Sequence, residues 1–128
     1  MNQKQIERCD ALWRELLAAG KVRWMAGMLA RDSTDGRRRS RITSLGGPAD
    51  PLLATRSVWA PVWTDPATIG CLVAMAREAF SGEVWVRHLG HKWLVEWVDD
   101  RSPQSYDRHA WTAETEAEAI LLAIKEAE

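Results

Sequence analysis

Four arginines within five positions, Arg37, Arg38, Arg39 and Arg41, form the densest chemical feature of this 128-residue sequence. Guanidinium groups are planar, permanently charged and forked. Such a run therefore suits charge-assisted hydrogen bonds to phosphates or to the carboxylates of an acidic protein surface. It equally fits a solvated loop, because charge runs often serve to keep a segment in water. No aromatic residue interleaves with the arginines, which weakens the pattern for single-stranded nucleic acid, whose bases stack on aromatic faces.

Tryptophan is the second feature: there are eight, beside one Tyr and one Phe. Each indole carries a large apolar surface and one N–H that needs an acceptor when buried. Trp59 and Trp63 flank Pro61 in a segment with no regular pattern, and Trp85 falls on the half-polar face of a predicted strand. These three are candidate anchors for a partner, since Trp and Arg are enriched at interface hot spots. They could also simply cover the ends of the sheet and helices. Trp13, Trp24, Trp93 and Trp97 fall on predicted apolar faces and are assigned to the core; Trp111 is assigned to neither group.

Residue types suited to catalysis or metal binding are present without the spacing those chemistries need. His88 falls on a predicted core face and His91 in a turn, so they point different ways. Asp99-Asp100 is a loop pair that reads as solvation, and no GxSxG, HExxH or P-loop pattern occurs. Cys9 and Cys71 lack CxxC spacing, and a zinc site would have to borrow from His88, His91 and His109. Both cysteines read as buried thiols in helices. The expectation is a non-enzyme with no metal and no cofactor.

The elements that must position these residues follow from periodicity. Ile6, Cys9, Trp13, Leu16 and Leu17 mark a helix from Gln3 to Ala19, stopped by Gly20. Val22, Trp24, Ala26 and Met28 alternate as a strand to Leu29. Residues 31–41 read as a basic hairpin loop leading into a strand from Arg39 to Leu45, and residues 49–62 are broken by proline with a short extended piece at Arg56 to Trp59. Asp65 and Pro66 open a helix whose apolar face runs from Ile69 to Phe80. Within it Gly70 and Ala74 offer small side chains where another element could approach. Val84 to Val98 is a hairpin turning at Gly90-His91, which sets His88 opposite Trp93, Val86 opposite Val95 and Val84 opposite Trp97. Arg108 to Thr112 adds one short strand. A last helix starts at Thr115, buries Ala117, Ile120, Leu121, Ala123 and Ile124, and is expected to fray at its acidic end.

The fold class that follows is α+β: one domain over residues 1–128, with a small, mostly antiparallel sheet of about four to five strands covered by three helices. Residues 1–60 carry 11 Lys and Arg against 6 Asp and Glu, a net of +5, whereas residues 61–128 carry 6 against 12, a net of −6. The two halves should attract. No apolar run reaches a membrane span of about 18 residues, and the N-terminal stretch lacks the apolar core of a secretory signal, so cytoplasmic residence with no membrane partner is the default.

The stretch from Trp59 to Ala79, with its DPATIGCL helix start at Asp65 to Leu72, resembles small proteins encoded by tailed phages and prophages. Trp93 to Trp97, the TEAEAIL segment at Thr115 to Leu121, and Leu17 to Met28 look like them as well. The layout is similar to the phage ABA-sandwich domain, in which helices flank a small antiparallel sheet. The resemblance implies a fold and a phage origin, with the host cytoplasm as location, and carries no functional residue. Combined with the absence of catalytic motifs, it gives the expectation of a phage or prophage accessory protein that binds a host protein or defence-system complex through Arg37, Arg38, Arg39, Arg41, Trp59, Trp63 and Trp85. The alternative is a nucleic-acid or nucleotide binding module using the basic loop 31–41 and exposed indoles. Oligomeric state is left open.

Overall fold

The computed structural model describes residues 1–34, 37–43, 59–80, 83–99 and 107–127. Helix α1 spans Gln3–Ala18 and opens with a reciprocal cap: the Asn2 side chain accepts from the Gln5 backbone N–H and the Gln5 side chain accepts from that of Asn2, each at 2.9 Å. It buries Cys9, Asp10, Trp13 and Leu16. Burial pushes the Cys9 thiol up to about 12, which keeps it protonated and inert. Cys71 is half-buried and its thiol is also raised by burial.

The chain after α1 does not form the strand expected over Val22 to Leu29. Gly27 adopts φ +100° and the Met28 N–H turns back to the Met25 carbonyl at 3.1 Å, so this stretch bends where alternation alone predicts extension. Val22 and Met28 are nevertheless buried, and Trp24 packs edge-on against Trp13 with ring centroids 5.2 Å apart. Extended pairing starts only at β1 (Leu29–Asp32), which is flanked by β2 (Arg39–Arg41) and β3 (Trp59–Pro61) in an antiparallel sheet of order β2-β1-β3. Leu45 and Arg56, expected in the flanking strands, lie outside the described residues.

Helix α2 (Pro66–Ala79) is capped by Asp65, whose carboxylate accepts from the Thr68 N–H at 3.0 Å, with proline at the first helical position. Nothing described approaches Gly70: a Cβ added there meets no atom within 4 Å. The small-residue stripe therefore holds no packing partner at that point. Gly70→Ala should stabilise the fold by about 0.4–1 kcal/mol, read as a higher urea midpoint at unchanged slope, because it removes backbone freedom from the unfolded chain.

Strands β4 (Glu83–Leu89), β5 (Lys92–Asp99) and β6 (Asp107–Ala113) form a second antiparallel sheet in sequence order. Its first hairpin has the register that alternation predicts, with His88 opposite Trp93, Val86 opposite Val95 and Val84 opposite Trp97. Gly90 takes φ +61° and no non-glycine described residue has positive φ, the signature of a type II′ turn. Strand β6 adds His109, Trp111 and Ala113 to the same face as Trp97, Val95 and Trp93. The strands thus divide into two three-stranded antiparallel sheets rather than one, within the expected α+β class.

Helix α3 (Glu116–Glu126) starts at Thr115, whose hydroxyl accepts from the Glu118 N–H at 3.3 Å. It buries Ala117, Ala119, Ile120, Leu121, Ala123 and Ile124, which pack between α1, α2 and the inner face of the second sheet. Phe80 stacks on Trp97 at 4.8 Å and lies 5.3 Å from Trp111, closing the layer on the α2 side. At the acidic end, where fraying is expected, the Lys21 ammonium donates to the Lys125 and Ala127 carbonyls at 2.8 and 3.0 Å, satisfying groups a helix end leaves open. The opposite charges of the two halves meet in Arg8–Glu118 at 3.1 Å, Arg23–Glu78 at 2.8 Å and Arg41–Asp65 at 2.7 Å.

Candidate partner-binding surface

In the first sheet the register sorts the arginines by face. Arg31 lies opposite Arg39 and Leu29 opposite Arg41, so these four share one side. Asp32 lies opposite Trp59, and its N–H donates to the Arg38 carbonyl at 2.9 Å, so Arg38, Asp32 and Trp59 form a row on the other side. The Arg38 guanidinium carbon stands 5.9 Å from the centre of the Trp59 ring, and its Nη1 is 3.9 Å from the Asp32 carboxylate. A cation–π contact with the indole and a nearby carboxylate position the cation while over half of its side chain stays exposed. Asp32 itself is buried and accepts from the Thr34 N–H at 2.9 Å and hydroxyl at 2.6 Å, which bends the chain away from β1 towards β2.

The other arginines of the run have different settings. Arg37 and Arg39 are exposed on either side of Arg38 in the chain. Arg41 reaches Asp65 through Nη1 at 2.7 Å and Nη2 at 3.3 Å, and donates to the Gly27 carbonyl at 2.9 Å. Asp65 also accepts from the Thr68 hydroxyl at 3.0 Å, and that hydroxyl oxygen accepts from the Leu29 N–H at 3.0 Å. Burial works against ionisation of Asp65, yet the Arg41 and Thr68 hydrogen bonds outweigh it and hold its carboxyl below the usual range. Arg41 is thus a clasp between β2 and the start of α2, not a free contact.

Of the three candidate indoles, only Trp59 joins the arginines. Trp63 is corrected: it is 3% exposed, and its indole N–H donates to Asp10 at 2.8 Å, so its ring is core and cannot anchor a partner. It packs edge-on against Trp13 at 5.9 Å. Trp85 is 52% exposed but stands on the outer face of the second sheet. The structure therefore brings together Arg38 and Trp59, leaves Arg37 exposed next to Arg38 in the chain, and separates Trp63, Trp85 and the opposite-face Arg39 and Arg41 from them.

Sequence reasoning missed the Asp10 cluster. Asp10 is buried on the apolar face of α1, where one Arg31 nitrogen lies 2.5 and 2.6 Å from its two carboxylate oxygens, beside the Trp63 N–H. The signal was an acid four residues after Ile6 and three before Trp13, on the apolar stripe itself. Among the described residues, no three His, Cys, Asp or Glu side chains are grouped to hold a metal ion, and no helix is long and apolar enough to cross a membrane. Two open depressions of about 280 and 270 Å³ are lined by Arg8, Lys92 and Glu114 in one case and by Lys21, Met75 and Glu78 in the other. Both are rimmed by paired surface charges.

Compared with known proteins, the chain matches no family model, no curated protein and no solved structure.

Proposed function

We propose that this chain is a binding protein that acts by occupying an acidic protein surface, without catalysis, through Arg38 and Trp59 on one face of the first sheet, with Arg37 and Arg39 as their neighbours in the chain adding positive charge. The observation that carries the reading is the Arg38 guanidinium held 5.9 Å over the Trp59 ring on one sheet face. A preorganised Arg beside an indole loses less freedom on binding than a mobile one, which is how hot-spot pairs gain affinity. The setting proposed is that of a phage or prophage accessory protein engaging a host protein or defence-system complex in the host cytoplasm. That setting rests on the resemblance carried by Leu17–Met28, Asp65–Leu72, Trp93–Trp97 and Thr115–Leu121.

The pairing also bears on the nucleic-acid alternative. β3 supplies the aromatic face that the arginine run lacks in sequence, and the Arg38 guanidinium stands 5.9 Å over one side of it. A base would have to displace the cation from that side, whereas a carboxylate could bind the guanidinium where it stands.

A pull-down from bacterial lysate with wild type, Arg38→Ala and Trp59→Ala, followed by titration of the recovered partner, tests this. Each variant should bind roughly tenfold or more weakly, the range of a hot-spot residue. Equal affinity for all three proteins would remove the pair from the account. Tight, steeply salt-dependent quenching by an oligonucleotide would instead favour nucleic acid.

A further inference from the structure

Strand β4 is one of the two outer strands of the second sheet and, among the described residues, has no strand on its far side. The Gly90-His91 turn makes Leu89 and Lys92 a hydrogen-bonded pair, and bonded pairs alternate along an antiparallel ladder. The backbone groups of Leu89, Arg87, Trp85 and Glu83 therefore point to β5. Those of Val84, Val86 and His88 point outward, and no described strand or loop pairs with them. Along the same strand Trp85 and Leu89 are 52% and 54% exposed, the two most exposed large apolar residues described. A long open edge with exposed apolar side chains is the arrangement that proteins otherwise blunt or cover.

We propose that a second copy of this chain covers that edge, by antiparallel β4–β4 pairing about a two-fold axis at Val86, giving one continuous six-stranded sheet. The strand's own sequence argues for this partner. With the axis at Val86, the outward groups of Val86 meet their own symmetry mates, and those of Val84 meet those of His88. All seven residues Glu83–Leu89 are paired. On the outer face each Trp85 falls directly opposite the second copy's Arg87, in the closer, non-bonded type of pair. The two-fold repeats this contact, so one dyad creates two indole–guanidinium pairs. Glu83 stands diagonally from the same Arg87 and opposite an uncharged Leu89, so no like charges face one another.

Other registers do worse. An axis at Arg87 sets two guanidinium groups opposite each other. An axis at Trp85 pairs only Glu83 to Arg87 within the strand. Arg87 already donates to Glu96 on the outer face at 2.8 Å, which keeps it on the side where the second copy's indole would lie.

Sedimentation of the whole chain, together with amide hydrogen exchange, tests the proposal. Wild type should sediment at twice the 14.5 kDa chain mass at about 100 µM chain and dissociate on dilution. Trp85→Lys sets an ammonium opposite the second copy's Arg87 twice over and should weaken association roughly tenfold or more. Val86→Pro removes an outward N–H while leaving the bonds to β5 in place, and should abolish it. If Val86→Pro fails to fold, as read by circular dichroism, the exposed Trp85→Lys variant carries the test. In the dimer the amides of Val84, Val86 and His88 should be protected, and on dilution these three alone should lose protection. A wild type that stays monomeric, or a dimer unaffected by Trp85→Lys whose Val84, Val86 and His88 amides exchange freely, overturns the proposal.

Discussion

Asp10→Ala should destabilise the protein by about 3–5 kcal/mol, the cost of stripping one partner from a buried ion pair. The carboxylate is 12% exposed and the Arg31 side chain 14%, so neither can turn to solvent when the other is lost. Removing Asp10 leaves a guanidinium and the Trp63 indole N–H in the interior without their acceptor, and the desolvation of both was already incurred on folding. Since small proteins are stable by only about 5–15 kcal/mol, this one change removes a large share. Asp10→Asn keeps an acceptor for the indole and should fall in between. Arg23→Ala, which breaks a pair more than half exposed at both ends, should cost about 0–1 kcal/mol. Urea unfolding at constant slope gives the comparison. The double change Asp10→Ala with Arg31→Met should recover much of the loss; a double variant as unstable as Asp10→Ala alone would show that the unpaired cation is not the cause.

Ile120→Ala should cost about 2–5 kcal/mol, chiefly as lost apolar burial plus the cavity left behind. Ile120 is fully buried in the middle of α3, between neighbours Ala119 and Leu121 that are fully buried too. Packing on three sides leaves little scope for collapse into the void, which pushes the expected value towards the upper half of that range. Leu17, 40% exposed on α1, is the matched control: Leu17→Ala should change stability by about 0.5 kcal/mol or less. Thermal unfolding of the two variants side by side decides it. Comparable shifts would mean that α3 is not the packing centre described above.

What was legible in the sequence was whatever local chemistry decides. The β4–β5 register could be read because strict alternation on both strands and one glycine turn leave a single solution, and Arg87 meets Glu96 diagonally as that register requires. The starts of α2 and α3 were readable from Asp65 and Thr115 for the same reason. The division into two sheets was not, because β1 pairs with β3 across a long separation, and no local pattern marks that contact. Nor does any local signal say that Trp63 turns inward, since its acceptor, Asp10, lies 53 residues away. Arg38 meets Trp59 for a similarly non-local reason: β1 separates them in the sheet and supplies the Asp32 that aligns both. The arginine run was visible at once, but its partition into a stacked cation, a structural clasp and two exposed neighbours depends on which strand faces which.

The position of α3 has a consequence for biosynthesis. Residues 116–126 form the element against which α1, α2 and the second sheet all pack, and they come last among the elements described. At roughly 5–20 residues per second, a ribosome needs about 5–20 seconds to get from Trp13 to Ile120. During that time the faces carrying Trp13, Leu72 and Val95 have no α3 to close over them. The nascent chain should therefore remain protease-sensitive and open to chaperones until α3 emerges, and then shut in a single cooperative step.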